Sequence, residues 1–317
     1  MTDVPRNRIV VTDQRHLDDD VVEQTRGFLA EQGWVVLRGL PLGDDAPRGL
    51  AALVRRVAGS PLGYHERSSP RSELGDGVYT STEYPASEEI HLHNENSYQL
   101  DWPMRLFFQC LRPAATGGAT PLADTRQILA TMDPAVRDRF ADLGWRVVRN
   151  YHEGMGLTWQ ESFGVTDHDQ LTRLCEERGL VASWHDGVLR TSATRAAIHR
   201  HPTTGQDVWF NHAAVFHLAS RPPAVRSALR EMFAEDELPT QSYFGNGDPI
   251  DDDTVEHLVE CYAAARFRFD YQAGDVLVID NMLISHGREP FTGDRAVAVA
   301  MACPRSEFPA ALSEVGR

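Results

Sequence analysis

The chain has 317 residues, of which 42% are hydrophobic, 24% charged and 9% aromatic, a composition that supports a sizeable folded core and excludes wholesale disorder. The formal net charge of −15 repels phosphate backbones and anionic lipid, so nucleic acid and membrane surfaces are poor partners. All 31 basic side chains are arginine, with no lysine anywhere, which removes lysine Schiff-base chemistry, phosphate-loop lysines and kinase-type strand lysines.

The start Met1–Arg8 has no apolar signal core, and no apolar run approaches the roughly 18 residues that span a bilayer. With Cys110, Cys175, Cys261 and Cys303 far apart and no CxxC pair, the chain reads as a cytoplasmic protein with reduced thiols. The whole of 1–317 reads as one domain.

In chain order, Asp18–Gln32 has Val21, Val22, Phe28 and Leu29 at helical spacing with acidic residues at its start. Gly33 ends that helix and Trp34–Leu37 follows as a strand. The stretch Glu66–Gly77, rich in Ser, Pro and Gly, is the nearest thing to a linker. Tyr79–Tyr84 carries many hydrogen-bonding groups, as expected of a polar strand edge. Met104–Leu111, Phe267–Tyr271, Asp275–Asp280 and Arg295–Ala302 are short apolar segments bounded by turn signals, and they read as strands. Ile128–Phe140, Asp169–Arg178 and Asp253–Ala265 read as helices, the first two within a helical and loop insertion around 126–205. The fold class is therefore α+β: a double-stranded β-helix (jelly roll) core with flanking helices and long loops.

Chemistry concentrates in Ile90–Tyr98. If this segment is extended, His91, His93 and Glu95 share one face while Ile90 and Leu92 face the other. A histidine and a carboxylate two apart on one strand can hold a single metal ion. His286 lies just after the Asp275–Asp280 strand and is the candidate third ligand. Two histidines and one carboxylate leave three coordination positions open, as in non-haem Fe(II) oxygenases. A zinc hydrolase using the same residues, or a jelly roll that only binds, fits the same set. Arg295 opens the last strand and could grip a dicarboxylate through two parallel hydrogen bonds.

Three further groups stand out in the sequence. The cluster Trp209, Phe210, Asn211, His212, Phe216 and His217 could line a substrate pocket or fill an apolar patch. Of Arg190, Arg195 and Arg200, two read as surface residues and one as a possible clamp for a substrate carboxylate. Asn281 and Ser285 flank His286 closely enough to orient it or the substrate.

His93-Asn94-Glu95, the turn Gly117-Gly118-Ala119-Thr120-Pro121-Leu122-Ala123-Asp124, and His286-Gly287-Arg288-Glu289-Pro290-Phe291 with Arg295 together resemble the TauD/TfdA family of Fe(II)- and 2-oxoglutarate-dependent oxygenases. Within it the likeness is to the SyrP-like and clavaminate-synthase-like branch. The resemblance runs from about Trp34 to Cys303. It implies that His93, Glu95 and His286 hold Fe(II), and that Thr120 and Arg295 bind the distal carboxylate of 2-oxoglutarate, with Arg288 as the alternative arginine. It also implies O₂ as co-reactant and an amino acid or amino-acid-derived small molecule as substrate, free or on an acyl or peptidyl carrier protein, in specialised metabolism such as antibiotic biosynthesis. Related halogenases have Gly or Ala in place of the carboxylate ligand, so Glu95 implies hydroxylation, desaturation or epoxidation.

Overall fold

The computed structural model describes residues 2–3, 9–11, 18–40, 42, 45–63, 66 and 71–308. Two β-sheets organise the chain around the site. The larger has seven strands in the spatial order Ile9–Val11, Trp34–Arg38, Val276–Asp280, Pro103–Arg112, Ala296–Pro304, Val78–Thr80 and Glu73–Gly75. The smaller has five, in the order Thr2–Asp3, Arg266–Arg268, Leu122–Asp124, Ile284–Arg288 and Ile90–His93. Apart from the parallel pairings of the two N-terminal strands, the neighbours in both sheets are antiparallel.

The central strand Val276–Asp280 shows why the larger sheet is stable. Val276, Leu277, Val278 and Ile279 are wholly buried, and burying each such side chain contributes about 1.5–3 kcal/mol. The helix Ala46–Ala58 covers this sheet with Leu50, Leu53, Val54 and Val57. The helix Asp19–Gln32 starts on Asp18, whose carboxylate accepts the Val21 N–H. It stops at Gly33, whose φ of 84° suits glycine.

Four expectations need correction. Ile128–Phe140 is two helices, Thr125–Thr131 and Pro134–Leu143. Pro134 forces Asp133 out of helical geometry, and Asp133 then caps the second helix through the Ala135 N–H. The strand expected over Phe267–Tyr271 ends at Arg268, because its antiparallel partner runs back into Pro121, which has no N–H to offer. The span around 126–205 is not only helix and loop, since Trp145–Tyr151, Val181–His185 and Val188–Arg195 form a four-stranded sheet with Thr240–Phe244. The stretch Glu66–Gly77, read as linker-like, contains the strand Glu73–Gly75.

All four cysteines are free and buried. Burial pushes the thiols of Cys110, Cys175 and Cys303 up to about 11. No helix among the described residues is long and apolar enough to cross a membrane.

Candidate metal centre

The extended segment stops sooner than its alternation implies. The strand runs only over Ile90–His93, and Asn94–Tyr98 is a turn with Asn96 at a φ of 56°, a conformation asparagine tolerates. Glu95 therefore meets His93 from a turn and not from strand alternation. The second histidine comes from register: His286 is the direct antiparallel partner of His93, and directly opposed residues put their side chains on one face. Between these strands Gly287 is needed for close approach, since a Cβ there would sit 2.5 Å from the Ile90 carbonyl oxygen.

One asparagine fixes the turn. Asn281 Oδ1 accepts the Glu95 N–H at 2.8 Å, while its Nδ2 donates to the carbonyls of Glu95 and Pro103 at 2.9 and 2.8 Å. Asn94 returns a bond to the Asn281 carbonyl at 2.6 Å. Asn281 thus orients Glu95 and not His286, while Ser285 donates to the Ala123 carbonyl and ties two strands together.

The donor atoms of His93, Glu95 and His286 all lie within 4.8 Å of one another. His93 Nδ1 is 2.8 Å from the His91 carbonyl, which assigns the proton to Nδ1 and leaves Nε2 as a donor pair for a metal. His286 Nε2 lies 3.8 Å from Glu95 Oε2, and its Nδ1 is buried with no hydrogen-bond partner. Burial above all pushes both imidazoles below their ordinary range, His286 the further of the two, with His93 and Arg71 adding to the effect there. Neutral histidine is the form that ligates. A buried carboxylate facing two neutral imidazoles with open space beside them fits one divalent ion of the Fe(II) kind.

Two cavities flank this centre. A small one, about 40 Å³, is lined by Thr120, Arg288 and Arg295 together with His93, His286 and residues of the larger sheet. Arg295 donates through Nε to the Gly118 carbonyl at 2.8 Å, which leaves its two Nη groups for a ligand. Arg288 is spent differently: it donates to the carbonyls of Tyr84, Pro85 and Glu88 and so holds that loop in place. Gly117 and Gly118 both have positive φ, so their turn has a structural reason besides Thr120. Sequence reasoning missed Tyr271, whose buried hydroxyl has its acidity suppressed by burial, next to Thr120 and Arg295.

The larger cavity, about 360 Å³, also borders His93, together with Glu95, and shares Arg71, Thr82 and Ile90 with the small one. Its wall includes His91, Tyr98, Val215, Phe216, Pro222, Arg71 and Arg221. From the aromatic cluster only His212 and Phe216 reach it; the His212 ring lies 5.7 Å from that of His93 and its Nδ1 pairs with the Ser97 hydroxyl at 2.6 Å. Trp209 and Phe210 pack in the core against Phe140 and Trp102. Asn211 and His217 are spent on local backbone groups.

None of Arg190, Arg195 and Arg200 lines either cavity. Arg190 binds Asn150 and Asp236, and Arg195 binds the carbonyls of Tyr98, Gly179 and Arg178. The arginines that line the larger cavity are Arg71, 3.1 Å from Glu95 Oε2, and Arg221. Arg71 was hidden in the linker-like stretch, and Arg221 stands alone in sequence, so no local pattern marked either. Another cavity, about 350 Å³, lies among Leu62, Gln99, Trp102 and Arg178 and touches none of the three ligands.

A cross-strand histidine pair within the smaller sheet, with a buried carboxylate beside it, is the ligand set of a mononuclear non-haem iron centre. Residues 2–301 match the family model of the taurine catabolism dioxygenase TauD, TfdA family. The chain is 38% identical over 278 residues, 87% of its length and 84% of the relative's, to the dapdiamide synthesis protein DdaC of Enterobacter agglomerans. It is 26% identical over 289 residues to a clavaminate synthase-like protein of Arabidopsis thaliana, covering 86% of this chain and 82% of that one. Among solved structures it is similar to PvcB from Pseudomonas aeruginosa, with a TM-score of 0.55 at 14% identity over 93% of this chain and 84% of that one. A taurine dioxygenase from Burkholderia xenovorans gives 0.52 at 16% identity over 91% and 81%. The chain belongs to the TauD/TfdA family and is an Fe(II)- and 2-oxoglutarate-dependent dioxygenase.

Proposed function

We infer that this enzyme, built as one domain on a jelly-roll core, oxidises an amino-acid-derived small molecule in specialised metabolism inside the cell. The carrying observation is the opposed pair His93 and His286, with Glu95 bringing its carboxylate within 4.8 Å of both. Similarity to a dapdiamide synthesis protein along most of both chains supports the substrate class. Hydroxylation is the default outcome, with desaturation or epoxidation as variants of the same hydrogen abstraction or oxygen transfer. Glu95 occupies the place a halide would need, so halogenation is not expected.

The iron and 2-oxoglutarate supply the oxidising power, through decarboxylation of the keto acid to succinate and CO₂ coupled to activation of O₂. The protein supplies position. His93, Glu95 and His286 would hold the metal on one face. Arg295, with Thr120 and the Tyr271 hydroxyl near it, would take the far carboxylate of the cosubstrate in the small cavity; charge-assisted fork pairing favours that arrangement. The larger cavity would hold the substrate beside the metal, its apolar wall of Val215, Phe216 and Pro222 limiting water.

The test is anaerobic loading with Fe(II) and 2-oxoglutarate, followed by a panel of amino acids and acylated amino acids scored for substrate-dependent succinate. The weak visible charge-transfer band of a chelated keto acid should appear and should be lost in His93→Ala. Tight zinc binding with no such band from Fe(II) would overturn this reading in favour of a hydrolase.

A further inference from the structure

The larger cavity has one charged wall group that the metal centre does not use. Arg221 follows the short turn Leu218–Ser220 and precedes the helix Pro223–Met232. Its backbone N–H is tied to the Leu218 carbonyl at 3.0 Å, which fixes where the side chain starts. The guanidinium lines the cavity with His91, His93 and Glu95. It makes no hydrogen bond and no ion pair with any described residue, whereas most arginines discussed above are spent on carboxylates or carbonyls.

Burial pushes the pKa of Arg221 below its ordinary value, and the one neighbour that opposes this is Tyr84, not a carboxylate. Three acids line the same cavity but are placed otherwise. Glu89 is paired with Arg266 at 2.9 Å, Glu95 lies 3.1 Å from Arg71, and Glu88 is exposed. A half-buried cation without a counter-charge costs free energy in the empty protein and is repaired by an anion. The size of the cavity, about 360 Å³, falls within the range for a small organic ligand.

We propose that Arg221 is a substrate-binding residue that takes a free carboxylate of the substrate, and so sets the end of the molecule opposite the metal. This rests on the functional reading above and sharpens it. Fork-shaped pairing with a planar carboxylate orients the ligand as well as holding it. A carboxylate held at Arg221 is not the one joined in a thioester, so a carrier-tethered substrate would need a second carboxylate to make the same contact.

The test uses a matched pair of probes, N-acetyl-L-leucine and N-acetyl-L-leucinamide, which differ in the carboxylate and share an apolar side chain suited to Val215 and Phe216. Titration calorimetry is run on the protein loaded anaerobically with Fe(II) and 2-oxoglutarate, and again on metal-free protein. The acid should bind about tenfold or more tighter than the amide, as one charge-assisted pair supplies. Arg221→Gln should erase that preference while keeping the affinities for Fe(II) and 2-oxoglutarate and the Tm; Arg221→Lys should keep part of it. Equal binding of acid and amide, no binding of the acid, or an unchanged preference in Arg221→Gln overturns the proposal. Loss of the iron and keto-acid band in wild-type protein would instead overturn the dioxygenase reading, and the metal-free titration judges Arg221 in either case.

Discussion

The two cavities beside His93 are built in opposite ways. The wall of the small one comes largely from paired strands: His93 and His286 face each other in register, and Val297 and Val299 belong to Ala296–Pro304. The wall of the large one comes mostly from turns and connections, with Arg71, Tyr84 and Glu88 before the metal strand and His212 to Pro222 far after it. Ladder hydrogen bonds fix the first set against one another, while the second can change one connection at a time without disturbing a sheet. On the proposed reading, the metal and cosubstrate chemistry would sit on the rigid side and the choice of substrate on the adaptable side.

Six substitutions bear on this division, beginning with the most damaging. His286→Ala should abolish stoichiometric Fe(II) binding and turnover, read by iron content and by succinate formation. Glu95→Gly should lose hydroxylation with at most traces of chlorinated product in chloride buffer, by mass spectrometry. An iron-loaded Glu95→Gly protein with normal hydroxylation would remove Glu95 from the ligand set and make His91 the residue to examine.

Next comes Arg295→Ala, which should weaken 2-oxoglutarate binding by about 2–5 kcal/mol, because the buried partner carboxylate loses its counter-charge. Arg288→Ala should loosen the Tyr84–Glu88 loop it holds and leave cosubstrate affinity near wild type. The reverse pattern in titrations with 2-oxoglutarate would show that Arg288 is the anchor.

Asn281→Ala should act less strongly but on both sides at once. It strands the Glu95 N–H and two carbonyls, at a stability cost of about 1–3 kcal/mol, and should lower metal affinity about 10–100-fold. Unchanged iron affinity with a lowered Tm would reduce Asn281 to a purely structural residue. The smallest effect is expected for Phe216→Ala, a wall residue of the large cavity. It should raise the KM for the substrate by about tenfold or less while leaving 2-oxoglutarate affinity alone. A fall in cosubstrate affinity there would break the separation between the two cavities.

What the sequence disclosed follows the same division. His93 and His286 were legible because their neighbours form strongly patterned strands, and the helix boundary at Gly33 was legible from local chemistry. Glu95 was identified from its spacing to His93, although the strand alternation behind that spacing ends at His93 and a turn delivers the carboxylate. The break at Asp133–Pro134 was readable from the proline but is easily missed inside an apolar helical pattern. Arg71 and Arg221 could not be read at all. A lone arginine in a polar segment looks the same whether it is solvated or buried beside a metal site, and only tertiary packing distinguishes the two. The four-stranded sheet within the middle of the chain escaped for a related reason: Val181–His185 is largely exposed, so it lacks the apolar signature of a core strand.

The four buried thiols have a practical consequence. At a pKa of about 11, each of Cys110, Cys175 and Cys303 is a thiolate in only about one molecule in 10⁴ at neutral pH, and thiolate is the species that reacts with electrophiles and oxidants. An enzyme that handles O₂ thus keeps its softest side chains out of reach of misdirected oxidation. The same property supplies a built-in reporter: a disulfide reagent such as Ellman's should label no cysteine in the native protein and all four once it unfolds, so the rate of labelling measures the opening of the core directly.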